Sequence, residues 1–295
     1  MTQIIDGEAL AGEIREGVAD AVAAFESEGV TPGLATVLME ADPASETYVN
    51  MKQRDCEEVG IDGIHVEVDA DAPEAALFDR IDELNDDDGV HGILVQMPVP
   101  DHVDERAAQA AVDPAKDVDG FNPENVGRLV AGEPRFRPCT PFGIQRLLAD
   151  AGVETAGADV VVVGRSNIVG RPLANLLTRR ADDGNATVTI CHSKTADLAA
   201  HTRRADVVVA AAGVPELIGR EEVTPETTVV DVGINRVERD GESTLVGDAD
   251  FEALDGYVDA ITPVPGGVGP MTRAMLLYNT VLAARRQTGL DVPLP

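Results

Sequence analysis

Asp159-Val-Val-Val-Val-Gly164-Arg-Ser-Asn-Ile-Val-Gly170-Arg-Pro172 is the stretch whose reading decides the fold. Four valines in a row are apolar on both faces, so they form a strand covered on both sides rather than a half-wet one. Gly164 ends the strand. A helix then runs from about Arg171 to Arg180. A strand, a glycine turn and a helix place a phosphate on a helix N-terminus. The spacing departs from G-x-G-x-x-G, because Ser166 stands where a glycine is wanted and the two glycines are six apart. Two readings therefore stay open, a nucleotide site or plain packing of strand on helix.

Working outward, Ala186-Thr-Val-Thr-Ile190 reads as the next strand and runs into Cys191-His-Ser193-Lys194. An NAD-selective site places an Asp or Glu here for the ribose 2′-hydroxyl. None is present. Ser193, Lys194 and Arg165 instead offer a hydroxyl and two cations, which suit a 2′-phosphate, so NADP is expected over NAD. The alternative is that Lys194 caps a helix. Strands at Asp206–Gly213 and Thr228–Gly233 end in glycine, and residues 234–256 contain a hairpin. Val258–Ile261 is the last strand. Thr262–Thr272 holds too many glycines and prolines for regular structure, and a final helix covers Thr272–Gln287.

Upstream, the pattern predicts a helix over 6–28 capped by Asp6, a strand at 34–38 and a helix from Ser45 to Val59. Strand 64–68, helix 73–85, strand 92–96 and helix 103–111 follow, then a polar loop from Asp113 to Asn122. Thr140-Pro141 opens a linking helix to about Gly152. Alternation of strands and helices gives an α/β fold in two domains, each with a parallel sheet. Ligands in such sheets lie beyond the carboxyl ends of the strands. Tyr48, Lys52 and Gln96 gather at such ends, and the two chain crossings are expected to hinge around a cleft. Only three of the 23 basic residues are lysine: Lys52, Lys116 and Lys194. Tyr48 and Lys52 are four apart on one helical face. They are either a phenol–amine pair that handles protons or a solvated surface.

The chain of 295 residues carries 53 acids against 23 bases, a formal net charge of −30. Nucleic acid and anionic membranes would repel it. Acid excess with arginine in place of lysine predicts adaptation to high salt, where the Debye length shrinks to about 3 Å at 1 M. Hydrophobic residues make up 44% and aromatics 3%, so the cores are aliphatic. The three cysteines, Cys56, Cys139 and Cys191, have no metal-ligand spacing, and no metal is expected. With no leader peptide and no apolar run of about 20 residues, a soluble cytoplasmic protein is expected.

Taken in order, Tyr48-Val-x-x-Lys52, Gln96-Met-Pro-Val-Pro, Asp117-Val-Asp-Gly-Phe, Gly164-Arg-Ser-x-x-Val-Gly-Arg-Pro, Cys191-His-Ser-Lys-Thr and Pro263-Val-Pro-Gly-Gly-Val-Gly-Pro-Met-Thr272 closely resemble the bifunctional methylenetetrahydrofolate dehydrogenase/methenyltetrahydrofolate cyclohydrolase family. The resemblance implies oxidation of 5,10-methylenetetrahydrofolate with NADP⁺ and hydrolysis of the product to 10-formyltetrahydrofolate. It implies a folate-binding domain of residues 1–139 plus 273–295 and a Rossmann-like NADP-binding domain of 140–272, with the last helix returning to the first domain. By carry-over, Lys52 is catalytic, Tyr48 stacks on the folate, Gln96 tunes Lys52 and Asp119 binds the pterin. Pro265, Gly266 and Gly267 line the folate pocket. Gly164, Arg165, Ser166, Ile168, Gly170, Ser193, Gly213 and Ile234 take the cofactor. Members commonly form homodimers through the cofactor domain. The acidic surface departs from the usual run of the family.

Overall fold

The computed structural model describes residues 1–39, 43–239 and 242–295, with the side chains of 43–48 and 242 outside the description. In chain order the elements are β1 (Gln3–Ile4), α1 (Gly7–Ser27), β2 (Gly33–Leu38), α2 (Pro43–Val59), β3 (Asp62–Glu67), α3 (Glu74–Asp86), β4 (Gly92–Val95), α4 (Glu105–Ala111), α5 (Pro123–Val130) and α6 (Cys139–Asp150). They continue as β5 (Asp159–Val163), α7 (Gly170–Leu177), β6 (Thr187–Cys191), α8 (Ala199–Thr202), β7 (Val207–Ala210), β8 (Thr228–Asp231), β9 (Asn235–Arg239), β10 (Glu242–Val246), α9 (Phe251–Leu254), β11 (Ala260–Ile261) and α10 (Val268–Thr288).

The chain divides into two compact units, one of residues 12–139 with 273–295 and one of residues 1–11 with 140–272. The first eleven residues thus sit with the second α/β unit, not with residues 12–139 as the sequence suggested. The cause is β1, too short to be read from periodicity, which pairs in parallel with β11 through Gln3↔Ala260 and Ile4↔Ile261. Thr2 Oγ1 donates to the Val258 carbonyl at 2.7 Å and secures the same edge.

In the unit of residues 12–139 with 273–295, three parallel strands run in the order β3-β2-β4. All six residues of β2 are buried, as a central strand with both faces covered requires. Ala35, Val37 and Met39 pack on one face against Leu77, Ile81 and Leu84 of α3. Successive connections from β2 and β3 leave on opposite sides of β2, so its carboxyl end is a switch point of the winding. Gly17 of α1 lies against Pro295, and the last helix belongs with this unit.

The other unit carries an all-parallel sheet in the order β1-β11-β8-β7-β5-β6 and a separate hairpin of β9 and β10. Its core is aliphatic: Val161, Val163, Val208, Val229, Ile218 and Leu254 are buried together. From β5 the chain goes out to β6 on one side and to β7 on the other. The switch point therefore falls at the end of β5, where Gly164 stands.

The start of the last helix differs from expectation, and one helix is additional. α10 starts at Val268, four residues before Thr272, because Pro270 occupies a first-turn position where no N–H is needed. α5 follows the polar loop that ends at Asn122 and has no counterpart in the sequence pattern. Asn122 caps it by accepting from the Glu124 N–H at 2.8 Å, and Pro123 starts it.

Candidate active site

Lys52 lies on α2, and its Nζ donates to Gln96 Oε1 at 2.9 Å. Gln96 follows β4, whose in-register pairing with β2 carries its side chain to the carboxyl end of the sheet. The Gln96 amide is oriented by its own neighbour, since Nε2 donates to the Met97 carbonyl at 2.7 Å. Its oxygen must therefore face Lys52. Both side chains are half-buried. Burial holds the Lys52 pKa below the ordinary lysine value, and the Asp119 carboxylate opposes that shift more than any other charge.

Asp119 reaches the cluster because residues 116–118 extend the sheet beside β4. Ile93 N donates to the Lys116 carbonyl at 2.8 Å, and Ile93 bridges Asp117 in parallel. Burial raises the Asp119 pKa, while Lys52 and a hydrogen bond from Cys139 lower it. A small pocket beside Asp119 is walled by Leu94, Met97, Val112 and Phe121. The structure thus brings Lys52, Gln96 and Asp119 together. The side chain of Tyr48 lies outside the described residues.

Sequence reasoning missed the supports of this cluster. Asp117 is buried and accepts from the N–H groups of Phe121 (3.2 Å) and Asn122 (2.8 Å) and from Asn125 Nδ2 (2.8 Å). It shapes the turn that presents Asp119, and burial pushes its pKa up to about 6. One turn past Lys52, both carboxylate oxygens of Asp55 accept from Arg273 Nη1 at 2.8 Å, a part-buried pair tying α2 to α10. The second lysine has a different task. Lys116 Nζ donates to the carbonyls of Leu84, Asn85 and Asp87 at 3.0, 2.8 and 2.7 Å. Three donors of a tetrahedral ammonium close the end of α3, which a planar guanidinium could not match.

In the unit with 140–272, Gly164 has φ +148°, and a Cβ there would stand 2.1 Å from the Ala211 carbonyl oxygen. A Cβ on Gly170 would stand 2.2 Å from the Gly164 oxygen. Six-residue spacing is thus a close approach of the turn to the start of α7. Ser166 replaces the middle glycine with a function: its Oγ accepts from the N–H groups of Val169 and Gly170 at 3.1 and 3.4 Å. Arg165, Ser166, Ser193 and Lys194 are exposed. Ile168 and Ile234 are exposed apolar side chains of the same unit. Glycine turn, helix start, hydroxyls and cations fit a phosphorylated dinucleotide.

Gly213 donates its N–H to Asp248 Oδ2 at 2.8 Å, as Ala212 does at 2.6 Å. Asp231 in turn accepts from the N–H groups of Gly233, Asp248 and Ala249 at 2.9, 2.9 and 2.8 Å. These two acids brace the loops after β7 and β8. The sequence signal was an acid closing an apolar strand, Thr228-Val-Val-Asp231. Pro265, Gly266 and Gly267 belong to this unit too, with the Gly266 carbonyl accepting from Glu8 N at 3.0 Å.

Residues 5–119 match the family model for the tetrahydrofolate dehydrogenase/cyclohydrolase catalytic domain, and residues 138–288 match that for its NAD(P)-binding domain. Among relatives, the bifunctional protein FolD of the halophilic archaeon Natronomonas pharaonis is 63% identical over 297 residues, covering 100% of both chains. A crystal structure of the bifunctional FolD methylenetetrahydrofolate dehydrogenase/cyclohydrolase from Campylobacter jejuni is 44% identical, with a TM-score of 0.92 over 97% of this chain and 99% of that one. The Trypanosoma brucei enzyme, solved with NADP cofactor and an inhibitor, is 38% identical, with a TM-score of 0.92 over 98% and 99%. With both domains matched, this chain belongs to the tetrahydrofolate dehydrogenase/cyclohydrolase family.

Proposed function

We propose that the protein oxidises 5,10-methylenetetrahydrofolate to 5,10-methenyltetrahydrofolate with NADP⁺ and hydrolyses the product to 10-formyltetrahydrofolate. The Lys52–Gln96–Asp119 cluster carries the reading. Membership of a family defined by both activities supports it. NADP⁺, when bound, supplies the hydride acceptor. The Gly164 turn and the start of α7 would hold its pyrophosphate, and Arg165, Ser193 and Lys194 its 2′-phosphate.

For hydrolysis, Lys52 in its amine form takes a proton from the attacking water. Burial favours that form. Because Gln96 can only accept, Lys52 keeps one N–H on Oε1 in either charge state, and its lone pair is turned toward the water. Asp119 binds adjacent N–H groups of the pterin, a charge-assisted pair of bonds. Tyr48 is read, from the family resemblance alone, as the residue that stacks on the folate.

A spectral time course in high-salt buffer, following NADPH and methenyltetrahydrofolate separately, tests the reading. NADPH forming without methenyl build-up beyond spontaneous hydrolysis is expected. Accumulating methenyl compound removes the hydrolase, and no NADPH at any salt concentration removes the function. A higher kcat/KM with NAD than with NADP removes the cofactor assignment.

The protein is further read as a cytoplasmic homodimer supplying a formyl donor of the class that purine synthesis consumes. Among the described residues no helix is long and apolar enough to cross a membrane. β6 is a sheet edge with Ile190 exposed, a feature that another copy could cover. Light scattering in molar salt at twice the chain mass of 31.0 kDa is expected. A mass of one chain refutes pairing.

A further inference from the structure

Asn279 interrupts the apolar run Leu276-Leu277-Tyr278-Asn279-Thr280-Val281 of α10 and is fully buried. Its Nδ2 donates to the carbonyl of Val118 at 2.7 Å and to that of Arg137 at 2.9 Å, and lies 3.6 Å from Cys139 Sγ. Its Oδ1 has no hydrogen-bond partner among the described residues. Turning the amide over would aim that oxygen at two carbonyl oxygens, so the orientation is forced. A buried acceptor left unmet lowers stability, because the water it gave up is not replaced. An apolar side chain in α10 would avoid that cost but would supply no donors. The cost falls beside the active-site cluster, where such exceptions ask for a functional explanation.

We propose that Asn279 is a positioning residue for Asp119, on the reading of the Lys52 cluster as the folate site. Two contacts carry the effect. The Val118 carbonyl it holds belongs to the peptide plane directly before Asp119, so the clamp sets the direction in which Asp119 leaves the chain. The Cys139 sulfur accepts from the Asn279 amide at 3.6 Å and donates toward the same Val118 carbonyl at 3.6 Å, and it stands close enough to the Asp119 carboxylate to lower that group's pKa. Cys139 is itself buried. Asn279 on α10, Cys139 at the start of α6, Asp119 beyond β4 and Lys52 on α2 thus form one connected row. Neither Asn279 nor Cys139 need touch the folate. They fix where the carboxylate stands relative to the ammonium.

The test is a double-mutant cycle read by the Kd for tetrahydrofolate from calorimetry, in the full chain at high salt. Asn279→Ala is expected to weaken binding roughly ten-fold when Asp119 is present and less than two-fold in an Asp119→Ala background, the signature of coupled neighbours. The Kd for NADP⁺ stays unchanged in both. An equal loss in the two backgrounds means a merely structural role and overturns the proposal, as does no loss at all. If Asn279→Ala does not fold, Cys139→Ala replaces it in the same cycle. That variant leaves both carbonyl clamps intact, and its effect must likewise vanish without Asp119. A parent protein that does not bind tetrahydrofolate refutes the folate reading as well. A parent that binds it, with an Asn279→Ala variant that binds equally well, refutes this inference alone.

Discussion

Lys52 is set apart by burial with few partners rather than by its sequence spacing. Its ammonium is destabilised by desolvation and restored in part by Asp119. The sign for activity follows. Below its lowered pKa Lys52 is protonated and cannot accept from water, so cyclohydrolase turnover should rise with pH and level off at a pH below the ordinary lysine value of about 10.4. A rate–pH profile independent of pH from 6 to 10 would refute the role. Lys52→Met should lower hydrolysis by at least about 100-fold, within the range of general acid–base catalysis, while the Kd for NADP⁺ is unchanged. Near-normal cyclohydrolase turnover in that variant would sink the assignment. Lys116, of the same residue type, is spent on three carbonyls and does no chemistry.

Those three carbonyls end α3, and the lysine that meets them begins the segment leading to Asp119. An ammonium at a helix C-terminus is favoured both by the dipole and by the orphan carbonyls. Lys116→Met should destabilise the protein by about 1–3 kcal/mol in denaturant unfolding, from acceptors left unmet in the interior. Lys116→Arg should not restore the loss. A Lys116→Arg variant as stable as the parent would refute the three-donor account. The neighbouring turn depends on pH through Asp117. Its folded pKa of about 6 lies above the unfolded value, so its titration contributes stability that is full below about pH 4 and lost as pH rises through 6. The stability difference between the parent and Asp117→Asn should therefore move in the parent's favour as pH falls from 7 to 4. No change in that difference over this window would contradict the assigned pKa.

At the scale of the whole molecule the dominant quantity is the formal charge of −30. Such a net charge opposes compaction through self-repulsion, and salt relieves it by shortening the screening length. The midpoint of thermal unfolding should rise steeply between dilute buffer and molar KCl, by tens of degrees if repulsion is the main opposing force. A midpoint that does not move with KCl would refute salt adaptation as the reason for the acidic surface. Ion pairs such as Arg80–Glu83 at 2.5 Å are exposed and contribute little in that medium. Each unit is held together by the aliphatic core of its own sheet.

Alternation of buried strands with helices, the two parallel sheets, the helix that carries Lys52 and the strand ends that carry Gln96 and Gly164 were legible in the sequence. Periodicity and glycine placement are local, and a strand covered on both faces shows itself as an apolar run. The motif order was legible too, because it is carried by residue identity. The tertiary structure alone decided the pairing of β1 with β11, which moves residues 1–11 to the other unit, since two-residue strands leave no period to read. It alone decided the partners of Lys116, Asp55 and Asn279, which lie 29 to 32, 218, and 140 to 161 residues away in sequence order. A hydrogen bond between distant segments depends on where both chains are carried by packing, and nothing in either segment alone records the other.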